Sequence, residues 1–353
     1  MSIDIRSFGR LADGTAVECC TLKNNSGMSA DFLTYGCRMA RLYVPNRDGE
    51  PENVVLGHDT ISEYERKGDV FGAVVGRFAN RIKGAEFKIG GKSYSMPKSE
   101  GENALHSSPG GFQNRVWRIK RSNNDSDAPS ITFSYRSPDG EGGFPGNVDV
   151  SVTYTLSTDN ALIIEYEAKS DAETPLNLTN HTYFNITGSP VKDILSLELQ
   201  VNADAITETD EEQIPTGRLI PVSGTPFDFR KAKTIGQNIR DQHHYLQACG
   251  GYDNNFALGF SVGVRNVAEL HDAASGRRML VFTDLPGLQV YTANSFLPYT
   301  RGIGGRLLKP HHAVCMETQF YPDSVHRPEF PYKNLKPDKP FHSTTIYKFN
   351  LDK

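Results

Sequence analysis

Val148–Ala168 reads VDVSVTYTLSTDNALIIEYEA, two alternating apolar–polar runs around a short polar break. Val148, Val150, Val152, Tyr154 and Leu156 occupy every second position of the first run. After an Asp159–Asn160 turn, Leu162, Ile164, Tyr166 and Ala168 do the same in the second. Strand side chains alternate between faces, so this spacing predicts a long antiparallel hairpin with one buried face.

The same period recurs outward from this hairpin. Phe87 and Ile89, then Gly90–Gly91, then Tyr94 and Met96 predict a second hairpin. Ile131, Phe133 and Tyr135 predict a further strand, as do Leu195, Leu197, Leu199 and Val201. Helical periodicity is weak and confined to Ser62–Lys67 and Ile235–Gln247. With 32 Gly and 20 Pro in 353 residues, the chain is punctuated at the short intervals a many-stranded sandwich needs. Ser122–Ser130 reads as an exposed turn and Asp204–Gln213 as an acidic loop, both too short to be domain linkers. The fold class expected is all-β: a large antiparallel β-sandwich with a few short helices, in one domain spanning residues 1–353.

A hydrophobic content of 37% and a net charge of -4 fit a soluble globular protein with no nucleic-acid or membrane partner. No apolar h-region opens the chain and no run reaches membrane-spanning length, so a cytoplasmic location is expected. Five cysteines, odd in number and without CxxC spacing, read as free thiols rather than a zinc site. Cys19 and Cys20 point to opposite faces of a strand, and the pairs His243–His244 and His311–His312 cannot both face one metal. No G-x-S-x-G elbow is present, and Gly302–Gly305 lacks the Lys-Ser/Thr of a phosphate loop.

Several stretches carry polar residues that a core would not select. Thr174–Gly188 (TPLNLTNHTYFNITG) crowds Asn177, Thr179, Asn180, His181, Tyr183 and Asn185 into a strand-like pattern. Taken alone, a satisfied histidine in a half-buried strand explains it as well as a functional one. Phe71–Lys83 (FGAVVGRFANRIK) presents Arg77, Asn80, Arg81 and Lys83 after small residues that allow close backbone approach. Asn103–Phe112 (NALHSSPGGF) carries His106 in a loop, and Gly250–Phe256 (GGYDNNF) sets Asp253 among turn formers. In Pro286–Ala293 (PGLQVYTA), Gln289 and Tyr291 alternate with Leu288 and Val290. In His312–Pro322 (HAVCMETQFYP), Glu317 lies opposite Val314 and Met316 in a strand otherwise free of charge. A lone carboxylate there must be paired, hydrogen-bonded or functional.

Together GRFANRIKGAEF, ENALHSSPGGF, DGEGGFPGN, TPLNLTNHTYFNITG, GTPFDFR, GGYDNNF, PGLQVYT and METQFYPDSVHRPEFP closely resemble the aldose 1-epimerase (galactose mutarotase) family. The likeness runs from about Phe8 to Phe349. It implies a β-sandwich with an open sugar cleft, interconverting the anomers of a free aldose such as glucose or galactose without cofactor or metal. By the resemblance, Glu317 is the general base, His181 the general acid, and His106 contacts the ring-oxygen side. Asn80, Arg81, Asp253 and Gln289 match positions that bind sugar hydroxyls. The expected partner is a monosaccharide, with the chain a monomer or homodimer. A carboxylate beside a cationic imidazole is expected to raise the histidine pKa.

Three positions depart from the family pattern. Ser107–Ser108 replace the usual Gly-Gly, Asn254 stands where histidine usually follows the aspartate, and Ala293–Ser295 begins Ala-Asn-Ser-Phe rather than Gly-Asn-Phe. If the Gly-Gly pair needs positive φ, the serines must reshape that loop. Alternatives are a hexose-phosphate epimerase of the same fold, which should place extra Arg or Lys such as Arg301 or Arg306 near the cleft, and a non-catalytic carbohydrate-binding protein. A glycoside hydrolase would need two carboxylates, for which Glu317 and Asp253 are the candidates.

Overall fold

The Val148–Ala168 hairpin forms as the strands Val148–Leu156 and Ala161–Ser170, with Val152 opposite Tyr166 and Leu156 opposite Leu162. The structure, a computed structural model, describes residues 3–67, 69–125 and 127–352. Among them the hairpin is the centre of a nine-stranded antiparallel sheet. Its order is 118–123, 130–137, 148–156, 161–170, 341–351, 277–283, 265–272, 198–201 and 233–234. The alternating apolar side chains of the hairpin are all buried, as their period required. Each such Val, Leu, Ile or Tyr contributes on the order of 1.5–3 kcal/mol of burial.

A second, six-stranded sheet runs 183–184, 314–319, 287–291, 253–257, 205–209 and 215–221. It lies against the large sheet. The Tyr347 ring packs 4.8 Å from Phe184, and its hydroxyl donates to the Met316 carbonyl at 2.8 Å. A five-stranded N-terminal sheet closes the same core, with Phe32 stacked 4.1 Å from Tyr154. Val314 and Met316 join this shared core, so Cys315, Glu317 and Gln319 face the other way.

The Phe87–Met96 hairpin forms with Gly90 and Gly91 at φ 57° and 83°, the paired positive angles of a tight hairpin turn. Residues Ile61–Lys67 are helical. No helix is long and apolar enough to cross a membrane.

Four expectations need correction. Ile235–Gln247 is not one helix but a single turn, Ile235–Gln237, followed by a helix at His244–Cys249. Asn238 and Asp241 close a turn on each other between the two, which competes with helical pairing. Asp204–Gln213 is not a loop throughout, because Ala205–Thr209 is a strand of the six-stranded sheet. Ile206 and Thr207 are buried there, while Glu208 turns outward to Arg218. The strand expected over Leu195–Val201 begins only at Glu198. The turn Ser122–Ser130 is shortened by strands ending at Asn123 and starting at Ser130, and Ser126 lies outside the described residues.

Candidate active site

Glu317 stands on the second strand of the six-stranded sheet, directly opposite Gln289, which is in turn opposite Asn255. His181 comes from the short strand Thr179–His181, paired with Ala73–Val75. The two side chains meet with Nε2 3.5 Å from Oε1, at 6% and 2% exposure. They sit on the floor of a cleft of about 690 Å³, also lined by Asn80, Arg81, His106, Asp253 and Gln289. All seven residues singled out from the sequence therefore share one cavity, of the size usual for a small-molecule site.

Local structure fixes each of them. Asn80 and His106 both take positive φ, at 65° and 54°. The Asn80 amide donates to His106 Nδ1 at 3.2 Å, and the His106 amide donates to the Asn80 carbonyl at 3.0 Å. Nδ1 is thus an acceptor, which places the proton of the neutral ring on Nε2. Burial, then His181 and Arg81, hold the His106 pKa well below 6.5, so the ring is a neutral donor.

Arg81 forks onto Glu100 through Nε at 2.5 Å and Nη2 at 2.9 Å. Burial alone would lower its pKa, but Asp253 and Glu100 more than offset this and hold it raised. Gln289 Nε2 donates to Asp253 Oδ1 at 2.7 Å, leaving Gln289 Oε1 without a protein partner. Burial raises the Asp253 pKa against the pull of Arg81 and Gln289.

The pair itself behaves differently from expectation. Burial pushes His181 down to about 3 and, with Asp253, pushes Glu317 well above 4.5. Desolvation opposes the charged form of both, and it outweighs their attraction. Burial thus disfavours carboxylate and imidazolium alike.

The aromatic wall was only partly legible from the sequence. Tyr183 is buried and stacks on His181 at 5.0 Å, while Phe296 stacks on Tyr183 at 5.8 Å. Tyr291 meets His181 edge-on at 6.3 Å. Glu100, the partner of Arg81, was missed. It lies in a polar loop, and nothing in the spacing links it to the ANRI stretch. Cys315 was read only as a thiol, although it alternates onto the face of Glu317.

The three departures are absorbed locally. Ser107 takes φ 54° as a non-glycine, which costs roughly 1–2 kcal/mol. Its hydroxyl both accepts from the Phe78 amide at 2.9 Å and donates to the Phe78 carbonyl at 3.0 Å, so the loop keeps the positive angle. Asn254 follows Asp253 on the opposite face of its strand and does not line the cleft. Ala293 is buried at φ 51° and leads to Phe296 on the cleft wall. Arg301 and Arg306 are not among the cleft-lining residues, whose described cations are Arg66 and Arg81.

An all-β sandwich with an amide-rich cleft over a buried imidazole–carboxyl pair is a carbohydrate-handling architecture. The chain belongs to the aldose 1-epimerase family, whose profile matches residues 18–348. It is 39% identical over 352 residues to galactose mutarotase of Rattus norvegicus, covering 99% of each chain. It is 34% identical over 340 residues to aldose 1-epimerase of Escherichia coli, covering 96% of each. The crystal structure of galactose 1-epimerase from Lactobacillus acidophilus superposes with a TM-score of 0.87 at 28% identity, covering 100% of both chains.

Proposed function

We propose that this chain is an aldose 1-epimerase that interconverts the α and β anomers of free aldoses such as glucose and galactose. It would act in the cytoplasm, where its five unpaired cysteines stay reduced, with the whole chain as one catalytic domain. The observation that carries this reading is the 3.5 Å approach of His181 to Glu317 among hydroxyl-binding side chains. In this scheme Glu317 is the general base and His181 the general acid. The neutral Nε2–H of His106 supports the ring-oxygen side, while Asn80, Arg81, Asp253 and Gln289 hold the hydroxyls.

The proton count closes. Glu317 takes the O1 proton, the C1–O5 bond breaks to give the aldehyde, and O5 takes a proton from His181. Rotation about C1–C2 and reversal of both transfers close the ring on the other face. For this Glu317 must be ionised and His181 protonated when sugar binds. An ion pair at 3.5 Å gains roughly 5 kcal/mol at an effective dielectric of about 20. That attraction works against the desolvation that opposes the charged form of both groups. Each positioned acid or base typically supplies about 10²–10⁴-fold.

Polarimetry of freshly dissolved α-D-glucose and α-D-galactose tests the proposal. Purified protein should speed equilibration well above the buffer rate, and equal rates with and without protein would refute it.

A further inference from the structure

A thiol that the acid–base chemistry does not use lies beneath the imidazole–carboxyl pair of the cleft. The ligand atoms of His181, Cys315 and Glu317 all lie within 4.8 Å of one another. Cys315 and Glu317 share one side of strand Val314–Gln319, and His181 reaches the same point from the short strand beside it. All three are buried, and neither His181 Nδ1 nor Glu317 Oε2 has a protein partner.

The spacing of the imidazole and carboxyl suits coordination better than hydrogen bonding. At 3.5 Å, the Nε2–Oε1 separation is long for a hydrogen bond. Zinc–nitrogen bonds of about 2.0–2.1 Å and zinc–oxygen bonds of about 2.0–2.2 Å at the tetrahedral angle place two donors about 3.4 Å apart. Three protein donors, two of which line the cleft, match the ligand count of an accessible rather than a four-ligand closed metal site. The Asp253 carboxyl acts on both Glu317 and Cys315 and adds a favourable field for a cation.

We propose that His181, Cys315 and Glu317 form a capture site for one thiophilic divalent cation, such as Zn²⁺ or Cd²⁺, entering through the cleft. The thiol selects such ions over Mg²⁺ or Ca²⁺. On binding, the Cys315 Sγ–H bond gives up its proton and the imidazole–carboxyl pair gives up the one it shares. Two protons leave for each cation, and the charge balances. The bound ion occupies the lone pairs that receive and return the sugar's protons, so it inhibits in competition with sugar. The inhibition rests on the proposed roles of His181 and Glu317; the binding does not.

Titration of the full chain with CdCl₂ reads the thiolate-to-cadmium charge-transfer absorption, and polarimetry with added ZnCl₂ reads inhibition. The expected result is one cadmium per chain, with competitive zinc inhibition that MgCl₂ does not reproduce. Cys315→Ala should keep turnover, lose the absorption and need at least about 100-fold more zinc, since losing even an outer partner costs about 10–100-fold. His181→Asn should also lose the site while retaining the thiol, which covers the case of a poorly folded Cys315→Ala. Cys249→Ser removes the cysteine that is not buried and should change neither readout. No absorption in the parent protein, absorption that survives Cys315→Ala, or equal zinc inhibition in both would overturn the proposal. If the protein failed to mutarotate sugars, the cadmium stoichiometry would still decide the site.

Discussion

The two faces that meet in this molecule treat polar groups in opposite ways. The central hairpin of the nine-stranded sheet turns Val152, Tyr154, Leu162, Ile164 and Tyr166 inward and keeps its own charged residues, Asp149, Glu165, Glu167 and Lys169, on the other face. The cleft face of the six-stranded sheet buries Asn255, Gln289, Glu317 and Gln319 on three neighbouring strands. Six of their side-chain atoms have no protein partner among the described residues. A buried polar atom left unpaired costs about 1–3 kcal/mol. The first face is therefore built for stability, whereas the second accepts a stability loss, and two of its unpaired acceptors, Gln289 Oε1 and Glu317 Oε2, belong to cleft-lining residues.

The largest effects should come from the cleft face and appear in turnover alone. Glu317→Gln and His181→Asn should each slow mutarotation by about 10²–10⁴-fold in polarimetry. Melting temperature should not fall with Glu317→Gln, because Glu317 Oε2 has no protein partner to lose. Near-normal turnover in either variant would break the division between the faces. Ile164→Ala, at a fully buried position of the large sheet, should do the reverse. Urea unfolding should show a loss of about 2–5 kcal/mol, with turnover per folded molecule unchanged.

Glu100→Ala sharpens the contrast at the cleft rim. Glu100 takes Nε and Nη2 of Arg81, which presets the guanidinium for sugar hydroxyls. Steady-state kinetics should show KM raised about 10-fold with kcat changed by less than about 3-fold, the signature of lost uniform binding. A fall in kcat with KM unchanged would place Arg81 in the chemical step instead.

How much could be read from the sequence follows the same division. Period-2 patterning located the Val148–Ala168 hairpin, because one face is buried and the other wet. It failed at Ala205–Thr209, where the acidic residues mark the outer face of a strand and resemble a loop. Glu317 was legible as a charge in an apolar strand, and the family motifs brought His106, Asn80, Arg81, Asp253 and Gln289 with it. The depressed His181 pKa was not legible, because it depends on burial beneath Tyr183 and on the water-poor floor that three distant strands create together. Glu100 escaped for a related reason: its partner is set by how two loops meet, and loop composition does not encode that.

The smallest effect belongs to the rim of the large sheet, where His271 lies between Glu198 and Asp352 at 2.9 Å and 2.8 Å. Burial lowers its pKa, but the hydrogen bonds it donates to the two carboxylates more than offset this, and the net direction is upward from 6.5. A raised pKa in the folded state means that the native protein holds a proton the unfolded chain has released. The associated stability is complete below about pH 6.5 and is lost as pH rises through the folded value. His271→Asn should therefore lower stability at pH 6 and have less effect at pH 9. The loss should stay under about 1 kcal/mol, since the partner carboxylates are solvent-exposed and screened. Thermal melts at the two pH values measure it, and mutarotation should not change at either. A pH-independent loss would mean that His271 acts through packing alone. A change in turnover would mean that the outer face of the large sheet communicates with the cleft.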